Sequence, residues 1–298
     1  MVRFSVIIPT YNRPALLAAC LGSFLDLEYP PGAWELIIVN DGGERSFSSI
    51  SDSLRDQLPL VLIENEHGGP AKARNAGART ARGEFLSFTD DDCRVDPNWL
   101  QAYDHCFSSS TLSAAGGSII NPYPDNLPAE TWSQYMIYLR TKVMRDTQGN
   151  LLLLTSNNAA YRRDVFLSLG GFDEEFPFAA AEDSELGSRL VGSGFEQDYC
   201  PEAIVWHEHK NTPWAYLGQQ FRYGRGNYYF QNVRRRAAYP AVERQKTSFF
   251  GSMRNLRDFA GSILAPLDMR LLLFSTPFVF KAGHLYEALR VQLLSQKP

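Results

Sequence analysis

The sequence predicts an α/β fold, in which a mostly parallel sheet is flanked by helices. In the first half of the chain, short apolar runs alternate with segments whose apolar residues repeat at helical spacing, the pattern of strands joined by crossover helices. Three of these apolar runs end in polar residues, which places polar side chains at one edge of the sheet. With 298 residues, of which 44% are hydrophobic, the chain can bury a sizeable core.

The elements of the first half follow in a regular order. A strand over Ser5–Pro9 comes first, and Asn12 and Pro14 are suited to cap and begin the next helix. The further predicted elements are a strand over 34–39, a helix around 50–57, a strand over 60–63, a helix near 70–81 and a strand from Phe85 into an acidic triplet.

The second half is predicted to add two strands and two helices. Leu151–Thr155 is the first strand, and a helix opens at Ala181-Glu182-Asp183 with acids in its first turn. A short strand from Ala203 leads into the run Trp206-His207-Glu208-His209. The last helix, over 214–236, is dense in aromatic residues, which either form a core stripe or stack on sugars.

The acidic triplet Asp90, Asp91 and Asp92 poses an electrostatic problem. Two like charges about 4 Å apart repel by about 4 kcal/mol at an effective dielectric constant of about 20, so a positive group should lie beside them. Oxygen ligands with room for phosphates suit Mg²⁺ or Mn²⁺ better than a softer metal. The alternative is a solvated acidic turn before a helix.

Several polar strand ends should converge on one crevice. In open α/β sheets, ligands bind beyond the carboxyl ends of the strands, so residues 9–12, Asp41 and the acidic triplet are expected there together. Asp41 can accept hydrogen bonds from a base or ribose, and Arg74 lies in a predicted helix whose start suits anions. A nucleoside diphosphate matches these groups, whereas the glycine motifs of dinucleotide-binding and P-loop proteins are absent.

Four motifs together resemble the family 2 glycosyltransferases of the GT-A fold. They begin at Val6, Val39, Gly69 and Thr89, and the resemblance covers roughly residues 3–225. It implies a Rossmann-like sheet and an inverting enzyme that uses a nucleotide diphosphate sugar. It also implies that Asp92 is the first-choice metal ligand; the residues that would bind the donor are Pro9, Thr10, Tyr11, Asn12, Asp41, Arg74, Asp90 and Asp91.

The same resemblance implies a general base and a further metal ligand. Asp183 matches the second position of the acidic pair that carries the base, although Glu182 and Asp183 also suit a helix dipole. A base is needed because a sugar hydroxyl must lose its proton as it attacks the anomeric carbon. Either His207 or His209 can complete the metal shell, and their spacing excludes the HExxH motif of zinc proteases.

The predicted function is therefore metal-dependent transfer of a sugar, with inversion, from a nucleotide diphosphate donor. A UDP-sugar is the favoured donor, and the acceptor is a hydroxyl of a glycan or a lipid-linked molecule. A nucleotidyltransferase that makes nucleotide sugars is one alternative, but residues 10–14 do not supply its glycine-rich basic loop. A non-catalytic nucleotide-sugar-binding protein is another, although it would not need Asp183.

The chain is predicted to divide into a transferase domain, 1–233, and a basic helical extension, 234–298. The domain comprises a nucleotide-sugar half, about 1–120, and an acceptor half, about 121–233. The extension carries 11 Lys/Arg against 4 Asp/Glu, and it either binds the anionic inner face of a membrane or packs on the core. Nucleic acid is not expected, because no reading module accompanies the charge. The four cysteines lack CxxC spacing, which favours free thiols and a cytoplasmic location.

Overall fold

The structure is a computed structural model that describes residues 1–43, 54, 56–139, 144, 151–208, 212–236 and 267–295. The helix predicted around 50–57 falls mostly outside these residues. The strands are β1 (Phe4–Thr10), β2 (Trp34–Asp41), β3 (Leu60–Asn65), β4 (Phe85–Thr89), β5 (Cys93–Val95), β6 (Ala114–Ile120), β7 (Asn158–Arg162) and β8 (Gln197–His207).

Eight α-helices accompany these strands within the described ranges, besides one 3-10 turn at Phe24–Asp26. They are α1 (Pro14–Ser23), α2 (Pro70–Thr80), α3 (Trp99–Ser108), α4 (Leu127–Tyr138), α5 (Arg163–Ser168), α6 (Glu182–Gly192), α7 (Pro213–Arg236) and α8 (Leu267–Ser295).

The strands form a single sheet in the order β3-β2-β1-β4-β7-β6-β8-β5. The first four strands in this order are parallel, β7 is antiparallel to both of its neighbours, and β5 is antiparallel to β8. The predicted α/β class is confirmed: the sheet is mixed, it is flanked by helices, and the parallel strands deliver their polar ends to one edge.

Strand β1 shows how the sheet builds a core on both faces. Because side chains alternate along a strand, Val6 and Ile8 join one apolar cluster while Ile7 joins the other. The first cluster is covered by α1 and α3, and the second by α2, α5 and α6. The sheet is therefore held between two helical layers, and this packing fixes the edge at which the polar strand ends lie.

Two local predictions were wrong. Residues 152–155 form no strand, and the strand of this region is β7, because the chain turns at Ser156-Asn157 before it pairs with β4. Asn12 is not the cap of α1: the cap position is Arg13, and Asn12 has a positive φ of 54° in the turn before it. The predicted free thiols are confirmed for all four cysteines.

Helix α8, which belongs to the predicted extension, packs against α7 and α4. Glu287 is fully buried, and its carboxylate accepts hydrogen bonds from Arg225 at 2.6 Å and from Tyr229 at 2.8 Å. Met269 and Leu273 are buried beside Leu127, Tyr135 and Tyr138, so this helix packs on the core. Among the described residues, no helix is long and apolar enough to span a bilayer.

Candidate active site

A cavity of about 200 Å³ opens beyond the carboxyl ends of β4 and β8. Its walls combine charged groups with an apolar side. The charged side chains are Arg13, Arg74, Asp90, Asp92, Glu182, Asp183, His207, Glu208 and Arg222, and the larger apolar ones are Ile119, Trp132, Met136, Ile137 and Tyr223. The metal and base positions predicted from the sequence thus share one cavity.

Asp92 and His207 meet on one wall of this cavity. The Oδ1 atom of Asp92 lies 3.2 Å from Nε2 of His207, because β5 and β8 pair with Cys93 opposite His207. Two neighbouring ligands of an octahedral ion at about 2.1 Å lie about 3 Å apart, so the carboxylate and imidazole fit one divalent cation. His209, the other histidine predicted here, lies outside the described residues.

Cys93 also lies near these two side chains, with its sulfur within 4.8 Å of their ligand atoms. Burial, together with the charges of Asp92 and Asp90, raises the pKa of the Cys93 thiol well above its usual value. A protonated thiol is a poor ligand for a hard cation. The oxygen and nitrogen donors therefore define the candidate metal position.

Asp91 faces away from the cavity and into the protein. Its carboxylate accepts a hydrogen bond from Thr10 Oγ1 at 2.7 Å and forms an ion pair with Arg13 at 3.1 Å. Burial and the neighbouring acids raise the pKa of Asp91 to about 6, although Thr10 and Arg13 act in the opposite direction. Arg13 also reaches Asp92 at 3.2 Å, so part of the positive charge expected beside the triplet comes from the protein itself.

Arg74 is buried between two acids from different parts of the chain. Its Nη2 donates to Asp90 at 2.7 Å and its Nη1 to Glu182 at 3.1 Å. Only 2% of the Arg74 side chain is exposed, and these two acids raise its pKa against the effect of burial. Arg74 therefore holds Asp90 and the start of α6 in place.

Helix α6 begins sharply at the cavity. Ala181 takes up the left-handed conformation, with φ of 75°, directly before Glu182 and Asp183. Asp183 Oδ1 accepts a hydrogen bond from the amide of Ser184 at 2.7 Å, which orients the carboxylate. Burial and the charge of Asp183 raise the pKa of Glu182 to about 7.

Asp41, Tyr11 and His67 form a second cluster, at the ends of β1 and β2. The carboxylate of Asp41 accepts hydrogen bonds from the amides of Gly68 at 3.0 Å and Gly69 at 2.9 Å. His67 Nδ1 lies 2.9 Å from the same carboxylate, and its ring stacks on Tyr11 with centroids 4.4 Å apart. None of these described residues lines the cavity itself.

The sequence model of the family described as Glycosyl transferase family 2 matches residues 5–170, more than half of the chain. The chain belongs to this family. It is 27% identical over 231 residues to Glycosyltransferase AglE of Haloferax volcanii, a match that covers 74% of this chain and 72% of the relative. It is 28% identical over 223 residues to the O-antigen chain rhamnosyltransferase RfbN of Salmonella typhimurium, a match that covers 71% of this chain and 68% of the relative.

Solved structures agree in fold with this family 2 glycosyltransferase. A mannosyltransferase, PcManGT from Pyrobaculum calidifontis in complex with GDP-Man and Mn²⁺, matches 99% of this chain and 88% of its own, with a TM-score of 0.72 and 18% identity. S. aureus TarS 1-349 in complex with UDP matches 98% and 92%, with a TM-score of 0.57 and 18% identity. The predicted GT-A fold and the assignment as a glycosyltransferase are thereby confirmed.

Several residues of this glycosyltransferase site were not predicted from the sequence. Arg13 forms ion pairs with Asp91 and Asp92. Its place directly after the first motif was the sequence signal that could have identified it. Nothing in the sequence marked His67, because its stacking on Tyr11 depends on how two loops meet. The same holds for Trp132, whose ring stacks on Tyr223 of the predicted aromatic helix with centroids 5.2 Å apart at the apolar side of the cavity.

Proposed function

We propose that this glycosyltransferase is metal-dependent and inverting, and that it moves a sugar from a nucleotide diphosphate donor to a hydroxyl group. A UDP-sugar is the favoured donor, and a glycan or lipid-linked molecule is the acceptor. The observation that carries this proposal is that Asp92, His207 and Asp183 line the same cavity. A single direct displacement needs a leaving-group site and a base within one cavity.

The donor would lie across the ends of β1, β2 and β4. Tyr11 and Asp41 are assigned to the base and ribose, with Pro9 and Thr10 at the end of β1 and Asn12 in the following turn beside them. The exposed rings of Tyr11 and His67 offer a stacking surface there. The Asp41 carboxylate is preoriented by the Gly68 and Gly69 amides, which supports a hydrogen-bonding role.

The diphosphate would lie against Asp92 and His207. An imidazole beside a carboxylate suits Mn²⁺ better than Mg²⁺, which prefers oxygen ligands. A divalent ion held there would offset the negative charge that builds on the leaving diphosphate. Arg13 already pairs with Asp92, and Arg74 fixes Asp90, so both cations support the same region.

The acceptor would enter past the apolar side of the cavity. Asp183 is assigned as the base that takes the proton from its attacking hydroxyl. The hydrogen bond from the Ser184 amide orients the carboxylate. Trp132 and Tyr223 form a stacked aromatic pair on this side, which suits the apolar face of a sugar or a lipid chain.

A panel of UDP-, GDP- and dTDP-sugars, each with Mn²⁺, with Mg²⁺ and with EDTA, tests this proposal. We expect one class of nucleotide sugar to raise the melting temperature in the presence of a metal ion and to lose this effect with EDTA. A product of inverted anomeric configuration, identified by NMR, checks the mechanism. Stabilisation that is equal with EDTA would contradict metal dependence, and a retained configuration would contradict direct displacement.

A further inference from the structure

The outer face of α8 carries a row of exposed apolar side chains. Leu271, Phe274 and Leu289 are 63%, 58% and 60% exposed, and the other members are similarly accessible. The intervals between members are three, four or seven residues, so the side chains lie along one side of the helix. We call this row the apolar ridge; it consists of Leu267, Leu271, Phe274, Phe278, Leu285, Leu289 and Leu293.

The opposite face of α8 is firmly held by the protein. A Cβ atom on Gly283 would lie 2.0 Å from the carbonyl oxygen of Phe221, and one on Gly224 would lie 1.9 Å from that of Phe280, so α7 and α8 touch through their backbones. Glu287 is buried in hydrogen bonds with α7. The ridge therefore points outward on a fixed helix, and its exposure needs a separate explanation.

The charge of this part of the chain limits what can cover the ridge. From Arg234 to the end, the sequence has 11 Lys/Arg and 4 Asp/Glu, a net charge of about +7. An anionic surface would attract this net positive charge, whereas a second copy of the chain would carry the same charge. On α8, the exposed Arg270 and Lys281 are separated by about three helical turns, which places both on the same flank of the ridge.

We propose that the apolar ridge of α8 lies in the interface of an anionic lipid bilayer. An amphipathic helix binds there by inserting its apolar side chains at the headgroup boundary while its basic flank meets lipid phosphates. The helix lies on the bilayer, consistent with its lack of a spanning apolar segment.

The ridge also has a consequence for the acceptor, and this consequence rests on the proposed function. Helix α8 contacts α4 through Met269 and Leu273, and α4 contributes Trp132 and Met136 to the apolar side of the cavity. The membrane-binding helix and the acceptor wall are thus neighbours. A lipid-linked acceptor could pass from the bilayer to Asp183 along adjacent helices.

Flotation of the full-length protein with vesicles tests the ridge without donor or acceptor, so its failure is separate from a failure of the proposed function. The vesicles are phosphatidylglycerol/phosphatidylcholine mixtures or pure phosphatidylcholine. The ridge variant is Leu271→Gln/Leu289→Gln. The control is Leu25→Gln/Leu167→Gln, which makes the same change at two exposed leucines outside α8.

We expect wild-type protein and the control to bind the anionic vesicles, and the ridge variant to bind with a partition coefficient at least about tenfold lower. Thermal unfolding checks that both variants remain folded. A wild-type protein that stays unbound, a ridge variant that binds normally, or equal binding to neutral vesicles would overturn the proposal. A dimer that dissociates in the ridge variant, without vesicle binding, would identify a second copy as the occupant.

Discussion

Asp183 and Asp164 occupy the same local position in two helices, and only Asp183 lines the cavity. Each is the second residue of its helix and accepts a hydrogen bond from the following amide, at 2.7 Å for Asp183 and 2.8 Å for Asp164. We expect Asp183→Asn to lower kcat by about 10³-fold, because the acceptor loses its base, while the donor Kd changes less than about threefold. Transfer assays and calorimetry measure both quantities. Asp164→Asn should behave like the wild type, and a similar loss in both variants would point to a helix defect instead.

His207 should matter for the metal and hardly for the nucleotide alone. We expect His207→Ala to weaken the Mn²⁺-dependent part of UDP affinity by about 10- to 100-fold, because one of two neighbouring ligands is lost. Titration calorimetry with and without Mn²⁺ separates this part from metal-free binding. His105→Ala, at an exposed histidine of α3, is the control. If Mn²⁺ enhances UDP binding equally in both variants, His207 is not a ligand.

At the scale of single residues, the sequence identified candidate functional side chains more readily than the residues that contact them. The acidic triplet and Asp183 stood out because their motifs are local. The contact between Asp92 and His207 depends on the pairing of β5 with β8, and the order of strands along a sheet is not written in any local pattern. The same reason explains why the sequence indicates only a metal beside the triplet, whereas Arg13 also contributes positive charge there.

At the level of elements, hydrophobicity predicted burial more reliably than strand pairing. Leu151–Leu154 are all buried, and Leu151 and Leu154 belong to the cluster on one face of the sheet, yet residues 152–155 pair with no strand. An apolar run indicates that a segment is buried. Whether the segment also pairs with a β-strand depends on the segments that pack beside it. The parallel strands β1, β2 and β4, by contrast, were predicted because strand and helix patterns alternate regularly there.

The contact between α7 and α8 leads to a prediction about two glycines of one helix. A Cβ on Gly224 would lie 1.9 Å from the carbonyl oxygen of Phe280, while a Cβ on Gly218 would meet nothing within 4 Å. We expect Gly224→Ala to lower the free energy of unfolding by about 1–3 kcal/mol, because the helices must move apart. Gly218→Ala should raise it by up to about 1 kcal/mol through helix propensity. Urea unfolding measures both, and a stabilising Gly224→Ala would show that the helices do not pack this closely.

In the whole molecule, Arg74 joins the two predicted halves of the transferase. It lies in α2 and bonds Glu182, which is 108 residues further along the chain and begins the base-bearing helix α6. The sequence marked Arg74 as a donor-binding cation, because it lies in a predicted helix whose start suits anions and in one of the family motifs. Its second partner could not be predicted, since the contact exists only after α2 and α6 have packed on the same face of the sheet.

Glu182 should make the stability of the molecule depend on pH. Its pKa is raised from 4.5 to about 7 by burial and by Asp183. A carboxyl whose pKa is raised on folding stabilises the fold fully below about pH 4.5, and this contribution is lost as the pH rises through about 7. With metal chelated, the free energy of unfolding of the wild type should therefore fall by up to about 3 kcal/mol relative to Glu182→Gln between pH 5 and 8. Urea unfolding across this pH range measures the difference. Glu202→Gln, at an exposed glutamate, is the control and should follow the wild type. Parallel stability curves for the wild type and Glu182→Gln would contradict the prediction.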